Sequence, residues 1–565
     1  MTRKSSEQQK AGSGIPQSPA AFAVEHAPRT DFVVFGVTAA ITVFFVCWGV
    51  FSTESLARTS SAALSWLVTN IGWGFVLAAT GFVVFALWLA ISRYGAIPLG
   101  QDDEQPEFRT VSWIAMMFSA GMGIGLMFFG VAEPLAHFVK PPPGTVAPLS
   151  EAAVETAMAT SLFHWTLHPW SIYAVVGLAI AYGSFRRGRK QLISAAFTPL
   201  LGRRKAEGWV GKLIDILALF ATLFGSAASL GLGTLQIQSG MQSAGWIAGV
   251  GTTILVLIIV VLTICFIFSA VSGVAKGIQW LSNINMVLAA LLAIFVFVVG
   301  PTVFVLDLLP TTIGVYLRDF GEMASRSGAT GGAAMNDWLS SWTIFYWAWW
   351  ISWTPFVGMF IARISRGRTI RQFVTGVILV PSAVSLVWFA IFGGSAIRVQ
   401  QSGVDVYRSG GEEAQTFAVL ETLPLSAITT VLVMILVAIF FVSGADAASV
   451  VMGTLSQRGS IEPRRWMVVF WGAATGAVAA IMLIVGGENA LSGIQNLTFL
   501  ASAPFAVVML LLCVALMKDL REDPMMQRGM KGAQVLEQAV IHGTERHGGD
   551  FQLEVGPAED GSQRP

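Results

Sequence analysis

The sequence predicts an all-α polytopic membrane protein with twelve transmembrane helices. Of its 565 residues, 54% are hydrophobic and 12% are charged, whereas soluble globular chains contain about 25% charged residues. Apolar runs of about 20 residues, the length that crosses a bilayer as a helix, recur throughout the chain. The twelve runs lie at about 32–51, 71–93, 111–136, 153–183, 211–239, 250–272, 278–306, 338–362, 371–396, 426–452, 466–487 and 493–517. They leave no room for a separate soluble domain.

Basic residues accumulate in the loops on one side of the predicted bundle. The loop after the fourth span contains seven Lys or Arg residues against the single acid Glu207, and the loop after the eighth contains four arginines and no acid. Cytoplasmic loops are enriched in Lys and Arg, so both termini are expected in the cytoplasm. The net charge of +1 indicates no nucleic-acid partner.

The third and eighth spans begin two groups of five spans each. Because the number of spans per group is odd, the groups are expected to be inverted copies of one another. The predicted divisions are a cytoplasmic N-terminal tail (1–31), two N-terminal helices (32–110), the first repeat (111–310), an outer connecting segment (311–337), the second repeat (338–518) and a cytoplasmic C-terminal tail (519–565). Both tails are expected to be disordered or loosely helical.

Two spans are predicted to be interrupted. The third contains Gly121, Gly123 and Gly125, and each glycine costs a helix up to about 1 kcal/mol relative to alanine. An unwound backbone is expected there; the alternative is a packing seam of the GxxxG type. The eighth span contains Ser352 and Pro355, and proline removes a backbone donor. Interrupted helices at matching positions of inverted repeats mark the substrate sites of transporters.

The eighth span carries an aromatic stripe. Trp342, Tyr346, Trp349, Trp350 and Trp353 follow one another at i, i+4, i+7, i+8 and i+11, so they share one face of a helix. Several ring faces together bind a cation that lacks hydrogen-bond donors, such as a quaternary ammonium group. The alternative is an interfacial aromatic belt, but this stripe extends over roughly 16 Å. Its length favours a cation-binding box.

The fourth span contributes further aromatic residues. On an ideal helix Trp165, Trp170 and Tyr173 lie within about 140° of arc, although Pro169 is expected to distort the helix. If they face the stripe of the eighth span, they close an aromatic cage. The alternative is ordinary packing between helices.

Two histidines and one glutamate need separate interpretation. His164 and His168 are four residues apart, but no glutamate follows His164 as in HExxH and no third ligand is near in the sequence, so structural hydrogen bonding is favoured over metal binding. Pro134 is expected to end the third span, and Glu133 before it then need not be buried.

Hydroxyl and carboxylate groups within spans are candidates for an ion site. Thr222 and Ser226 are four residues apart on the fifth span; they either bond back to helix carbonyls or supply oxygens to a hard cation. Asp446 places a charge within the tenth span, which is costly and typically functional. It is a candidate proton carrier, a support for a cation site or a member of a buried ion pair, and the sequence leaves all three open.

Long motifs of the chain closely resemble the betaine/carnitine/choline transporter family, and among its members the sodium-coupled glycine betaine carriers. They are FRTVSWIAMMFSAGMGIGLMFFGVAEP, FHWTLHPWSIYAVVGLAIAYG, GKLIDILALFATLFGSAASLGLG, WTIFYWAWWISWTPFVGMFIARISRGR and GADAASVVMGTLS. The resemblance covers about residues 30–520. It implies a five-plus-five inverted-repeat core of the leucine-transporter type, preceded by two helices. It also implies a homotrimer among the lipids of the bacterial cytoplasmic membrane.

By this resemblance, the protein binds a small zwitterion and uses sodium as its coupling ion, with no other cofactor. The implied solute site comprises Trp165, Trp170, Tyr173 and Trp350 as the box, Trp349 and Trp353 in the pathway, and the backbone of Gly121, Gly123 and Gly125. The implied first sodium site comprises Thr222, Ser226, Tyr173 and Phe356. The second comprises Ser119, Met122, Phe440, Ser443 and Gly444.

Two positions set the implied chemistry. Gly444 stands where the family has a hydroxyl, so the second sodium site is weakened, uses water as a ligand or reflects a different coupling. Choline carriers of the family tend to have Asp where this chain has Gly125, and glycine favours a zwitterion: betaine, or else ectoine, proline or dimethylsulfoniopropionate. The box holds the ammonium end, and sodium or helix dipoles offset the carboxylate.

The predicted function is secondary active symport of a zwitterionic compatible solute, driven by sodium and achieved by alternating access. The alternative within the family is a proton-coupled or ion-independent carrier of choline or carnitine. An enzyme that uses His164 and His168 would lack a nucleophile triad or a metal set, so no enzymatic activity is expected. A channel would need a ring of selectivity carbonyls or charges.

Overall fold

In a computed structural model, the described residues are 29–553 without 122, 250, 273–274, 408–409 and 488. Within this part of the chain the repeating structure is helical, and the one β feature is an isolated bridge between Pro98 and Thr369. The prediction of an all-α protein is confirmed. Residues 1–28 and 554–565, which belong to the predicted tails, lie outside the described residues.

The helices follow one another with short connections. In chain order they are α1 (Phe32–Phe51), α2 (Thr53–Ile91), α3 (Thr110–Gly121), α4 (Ile124–Val139), α5 (Glu151–Trp165), α6 (Leu167–Ala181), α7 (Ile193–Ala196), α8 (Thr198–Leu201), α9 (Arg203–Ala206), α10 (Trp209–Ser243), α11 (Thr252–Ser272), α12 (Ala275–Val299), α13 (Thr302–Ser325), α14 (Gly328–Leu339), α15 (Phe345–Arg363), α16 (Ile370–Gln401), α17 (Glu412–Glu421), α18 (Ser426–Ser456), α19 (Arg465–Gly486), α20 (Ala490–Arg521) and α21 (Pro524–His547).

Eight helices of the described chain are long and apolar enough to cross a membrane, or nine if the bent pair α12 and α13, which meet at 107°, forms one span. The eight are α1, α2, α10, α11, α16, α18, α19 and α20. The predicted third and fourth spans are each divided into two helices shorter than the roughly 20 residues that crossing requires. The predicted total of twelve spans is therefore not confirmed.

Helical structure extends beyond the predicted spans in three places. The second span was placed at 71–93, but α2 already begins at Thr53, because its polar first half forms helix without an apolar signal. The segment 311–337 is largely helical in α13 and α14. Part of the predicted C-terminal tail forms α21, and Arg186 ties this end of the chain to the body through Asp523 (2.9 Å) and Asp102 (2.6 Å). The hydrogen bond and charge of Arg186 lower the pKa of the Asp102 carboxyl.

The third span is interrupted as predicted, because α3 ends at Gly121 and α4 begins at Ile124. Gly125 lies inside α4. The expectation that Pro134 ends the helix is wrong, since α4 continues through it to Val139 and Glu133 is fully buried. Gly393 of α16 makes this possible: a Cβ there would lie 2.5 Å from Pro134 Cγ, so the glycine gives room to the proline ring.

The eighth span differs from its prediction. No interruption occurs at Ser352 and Pro355, because α15 runs unbroken from Phe345 to Arg363. The hydroxyls of Ser352 and Thr354 donate to the carbonyls of Trp349 (2.6 Å) and Trp350 (2.7 Å), which supplies donors beside the proline. The irregular part is a π-helical turn at Ser340–Ile344, just before α15.

Candidate functional site

Glycines bring two helices close to α15. A Cβ on Gly177 of α6 would lie 3.2 Å from the carbonyl oxygen of Gly358 in α15, and a Cβ on Gly358 would lie 3.1 Å from the Gly177 nitrogen. On the other side Gly225 of α10 faces Ser352 and Trp353. These approaches place α15, with its aromatic stripe, between α6 and α10.

The aromatic residues predicted from the fourth and eighth spans meet in one cluster. Trp165 contacts Trp350 edge to face with 4.9 Å between ring centroids, and Tyr173 lies 6.3 Å from Trp350. Trp349 stacks on Trp350 at 4.8 Å. The cluster continues through Trp170 next to Tyr173 (5.6 Å), Trp353 next to Trp349 (6.2 Å) and Phe356 next to Trp353 (5.9 Å). These rings pack directly on one another. A cation within about 6 Å of their centroids must therefore lie at the edge of the cluster or push two rings apart.

The fourth span breaks at Thr166, whose φ and ψ are −118° and −105°. Pro169 has no N–H to offer the carbonyl of Trp165, four residues earlier. The break also leaves the carbonyl of His164 free for another donor, and the Trp350 indole N–H donates to it at 3.1 Å. This hydrogen bond fixes Trp350 against the end of α5.

Gly125 forms one wall of the cluster. A Cβ at this position would lie 2.5 Å from Trp349 Cη2 and 3.0 Å from Trp165 Cη2. The two indoles therefore rest against backbone where any larger residue would displace them. Gly123 has an extended backbone just before α4 and lies near Trp353.

A buried carboxylate lies behind the rings. Glu133 accepts hydrogen bonds from the Trp165 indole and the Tyr346 hydroxyl, both at 2.6 Å, and lies 2.6 Å from His164 Nδ1. His137 Nε2 is 3.4 Å away. The sequence analysis did not predict this network. Its members lie far apart in the chain, and the proline after Glu133 was expected to end the helix.

The two histidines of the fourth span have separate surroundings, because the break at Thr166 lies between them. His168 lies 3.3 Å from the Thr80 hydroxyl and stacks on Trp347. The expectation that His164 has no further ligand-type residue nearby is wrong: ligand atoms of Glu133, His137 and His164 lie within 4.8 Å of one another. The Glu133 oxygens already accept hydrogen bonds, and His164 Nε2 lies 2.9 Å from the Thr343 hydroxyl, so hydrogen bonding accounts for Glu133 and His164. The ring nitrogens of His137 are buried and form no hydrogen bond among the described residues.

Several polar atoms of the cluster are buried yet form no hydrogen bond within the part of the chain that the structure describes. They are the Tyr173 hydroxyl, the indole nitrogens of Trp349 and Trp353, and the Ser226 hydroxyl. Buried polar groups normally have partners. Three of these four are on residues of the aromatic cluster, so the cluster offers donors as well as ring faces.

The first predicted sodium site is only partly assembled by the contacts of the structure. Thr222 is fully buried and donates to the Ala218 carbonyl (2.9 Å). Thr222 and Ser226 lie near Gly225 in α10, and Gly225 faces Trp353 of α15. Phe356 is also on α15.

The second predicted sodium site is less complete. Ser443 donates to the carbonyls of Ile439 (2.8 Å) and Phe440 (3.4 Å), and a Cβ on Gly444 would meet nothing within 4 Å. Asp446 is 5% exposed. Met122 and the side chain of Ser119 lie outside the described residues.

Known proteins are similar to this chain over most of its length. A family model described as "BCCT, betaine/carnitine/choline family transporter" matches residues 33–525. The chain is 47% identical to the betaine/ectoine transporter LcoP of Corynebacterium glutamicum, over 94% of this chain and 84% of that protein. It is 44% identical to the glycine betaine transporter OpuD of Bacillus subtilis, over 89% and 96%. A solved structure of a sodium-coupled sialic acid symporter is similar at a TM-score of 0.41 and 13% identity, over 80% and 86%.

Proposed function

Because the chain belongs to the betaine/carnitine/choline transporter family, whose members are transporters rather than enzymes, we propose that it is a secondary active symporter of a zwitterionic quaternary-ammonium compatible solute. Glycine betaine is the first candidate, followed by three zwitterions that lack a quaternary ammonium group: ectoine, proline and dimethylsulfoniopropionate. Sodium is the proposed coupling ion, and alternating access is the proposed mechanism.

One observation carries the proposal: ring faces and buried unpaired donors occur in the same cluster. The faces of Trp165, Trp350 and Tyr173 suit an ammonium group that has no N–H to donate. The indole N–H groups of Trp349 and Trp353, which form no hydrogen bond among the described residues, suit a carboxylate. A zwitterion with both groups satisfies both kinds of surface, whereas choline offers the two donors only one neutral hydroxyl oxygen in place of a carboxylate.

The proposed sodium sites use residues of α6, α10, α15 and α18. Thr222 and Ser226 would act with Tyr173 and Phe356 at one site, and the carbonyl of Phe440 with Ser443 at the other. Each sodium ion moving down a potential of 100 mV supplies about 2.3 kcal/mol. The proposal includes twelve spans with inverted repeats at 111–310 and 338–518, cytoplasmic termini, the cytoplasmic membrane as location and a homotrimeric assembly.

A second candidate is a proton-coupled or ion-independent carrier. It is favoured by Gly444, which lacks the oxygen that the family places there and has nothing within 4 Å to replace it. The buried carboxylate of Asp446, two residues on, is the group that would carry a proton.

The test is uptake of radiolabelled betaine, ectoine, choline and carnitine into proteoliposomes, with and without a sodium gradient. Saturable betaine or ectoine uptake that depends on sodium supports the proposal. Uptake driven equally well without sodium favours the second candidate, and a strong preference for choline or carnitine would contradict the assignment of a zwitterion. Empty liposomes and the variant Trp350→Ala serve as controls.

A further inference from the structure

Glu133 is the unusual feature of the cluster. It is fully buried on α4, and its oxygens accept hydrogen bonds from residues of two other helices: Trp165 at the end of α5 and Tyr346 on α15. Packing alone does not require a carboxylate here, because an apolar residue would fill the same space without the cost of burying a polar or charged group.

Two donors share one oxygen of Glu133. The Trp165 indole can only donate, and it shares Oε2 with the Tyr346 hydroxyl at 2.6 Å in each case. Hydrogen bonds to charged oxygens are shorter than those to neutral ones, so this arrangement suits an ionised carboxylate. Within 4 Å of the Glu133 carboxyl, the described residues place nitrogens of His137 and His164 but of no lysine or arginine. Arg326 is the neighbouring fixed cation. It packs over the ring of Trp338, and Trp338 lies 5.4 Å from His137.

Glu133 is joined to the cluster through the edges of its rings. Trp165 and Tyr346 contact each other at 5.6 Å, and Trp350 lies 4.9 Å from Trp165 and 6.0 Å from Tyr346. A carboxylate bonded to an indole N–H and a phenol O–H holds both rings in one orientation. Its charge also makes their faces more electron-rich, since hydrogen-bonded groups in a low-dielectric interior polarise one another.

We propose that Glu133 is ionised and acts as a positioning residue: it fixes Trp165 and Tyr346, and its negative charge sets the preference of the aromatic cluster for the cationic part of its ligand. This inference rests on the proposed function and deepens it. The charge attracts an ammonium group and repels a carboxylate, so a net cation gains more from it than a zwitterion does.

Glu133→Gln separates the charge from the shape. Glutamine has the same size, its oxygen can accept from both Trp165 and Tyr346, and its NH₂ group can donate to His164 Nδ1 if that imidazole changes tautomer. The substitution therefore removes the charge and keeps the hydrogen bonds. Glu133→Asp does the opposite, because it keeps the charge but is one methylene too short to reach both rings.

The measurement is isothermal titration calorimetry of purified full-length protein with two probes, the cation tetramethylammonium and the zwitterion glycine betaine. In Glu133→Gln we expect the affinity for tetramethylammonium to fall by about tenfold more than the affinity for glycine betaine. In Glu133→Asp we expect both affinities to fall by the same factor. Glu151→Gln, which removes an exposed acid at the start of α5, should change neither.

Each outcome decides a different point. Equal losses for both probes in Glu133→Gln would overturn the role of the charge. If that variant does not fold, a changed ratio of the two affinities in Glu133→Asp would overturn it instead. Wild-type protein that binds neither probe would overturn the proposed function, and this inference with it.

Discussion

The proposed solute end and the proposed ion end of the candidate site are held by different kinds of hydrogen bond. At the solute end side chains bond across helices: Trp350 of α15 donates to the His164 carbonyl of α5, and Glu133 of α4 holds Trp165 and Tyr346. At the ion end the hydroxyls of Thr222 and Ser443 donate to carbonyls of their own helices. The solute end therefore selects its ligand through side chains that are fixed by other helices, whereas the ion end offers only a few side-chain oxygens. Substitutions should therefore have larger effects at the solute end.

The largest effect is expected for Trp350→Ala. It removes a ring in contact with Trp165, Tyr173 and Trp349, together with the bond to the His164 carbonyl. A desolvated cation–π contact is worth about 2 kcal/mol or more, and a central aromatic anchor about 2–4 kcal/mol. Saturable betaine uptake in proteoliposomes should fall by about 100-fold or more.

The matched control is Trp246→Ala, because Trp246 is 61% exposed. Both variants should elute from size-exclusion chromatography like the wild type. Uptake by Trp350→Ala that matches the control would remove the cluster from the solute pathway, and the contrast between the two ends would lose its basis.

Gly125→Ala should have the next largest effect. The added methyl group would lie 2.5 Å from Trp349 and 3.0 Å from Trp165, and overpacking of this kind costs about 1–3 kcal/mol. The Michaelis constant for betaine should rise by about tenfold.

Gly444→Ala is the paired control at the ion end, since nothing lies within 4 Å of its Cβ position, and it should transport betaine like the wild type. The pair tests the comparison directly. If both alanines are tolerated equally, the packing around Gly125 does not constrain the solute end.

The sequence predicted that the aromatic residues of the fourth and eighth spans meet, for a physical reason. Five aromatic residues at helical spacing define a face without knowledge of any other helix, and clustered glycines indicate where a helix stops. The partners of Glu133 could not be predicted, because a carboxylate 31 residues before His164 meets it only through packing. Proline rules also failed twice. At Pro134 the glycine at position 393 gives the proline ring room, and at Pro355 the helix continues with the hydroxyls of Ser352 and Thr354 bonded to carbonyls of the same helix. Ion sites that use backbone carbonyls leave no pattern in the side chains.

Thr222→Ala tests whether the ion end includes α10. The sodium concentration for half-maximal uptake should rise by roughly fivefold, the equivalent of about 1 kcal/mol for one lost polar contact, while the Michaelis constant for betaine at saturating sodium stays unchanged. Thr234→Ala is a close control: Thr234 lies on the same helix, is equally buried and donates to the Leu230 carbonyl at 2.8 Å. Equal sodium dependence in the two variants would exclude Thr222 as a ligand.

The smallest effect is expected for Gly444→Ser, which tests whether α18 supplies a side-chain oxygen to the proposed ion end. The open space at this position admits the side chain without a clash, and the new hydroxyl lies next to Ser443, one turn after the carbonyl of Phe440. If α18 supplies part of a sodium site, an added oxygen ligand should lower the sodium concentration for half-maximal uptake by about twofold, or roughly 0.4 kcal/mol. Gly444→Ala carries the same backbone change without the oxygen and should not show the shift. Identical sodium dependence in the serine and alanine variants would mean that α18 provides no side-chain ligand, which leaves the hydroxyls of α10 as the side-chain part of the ion end.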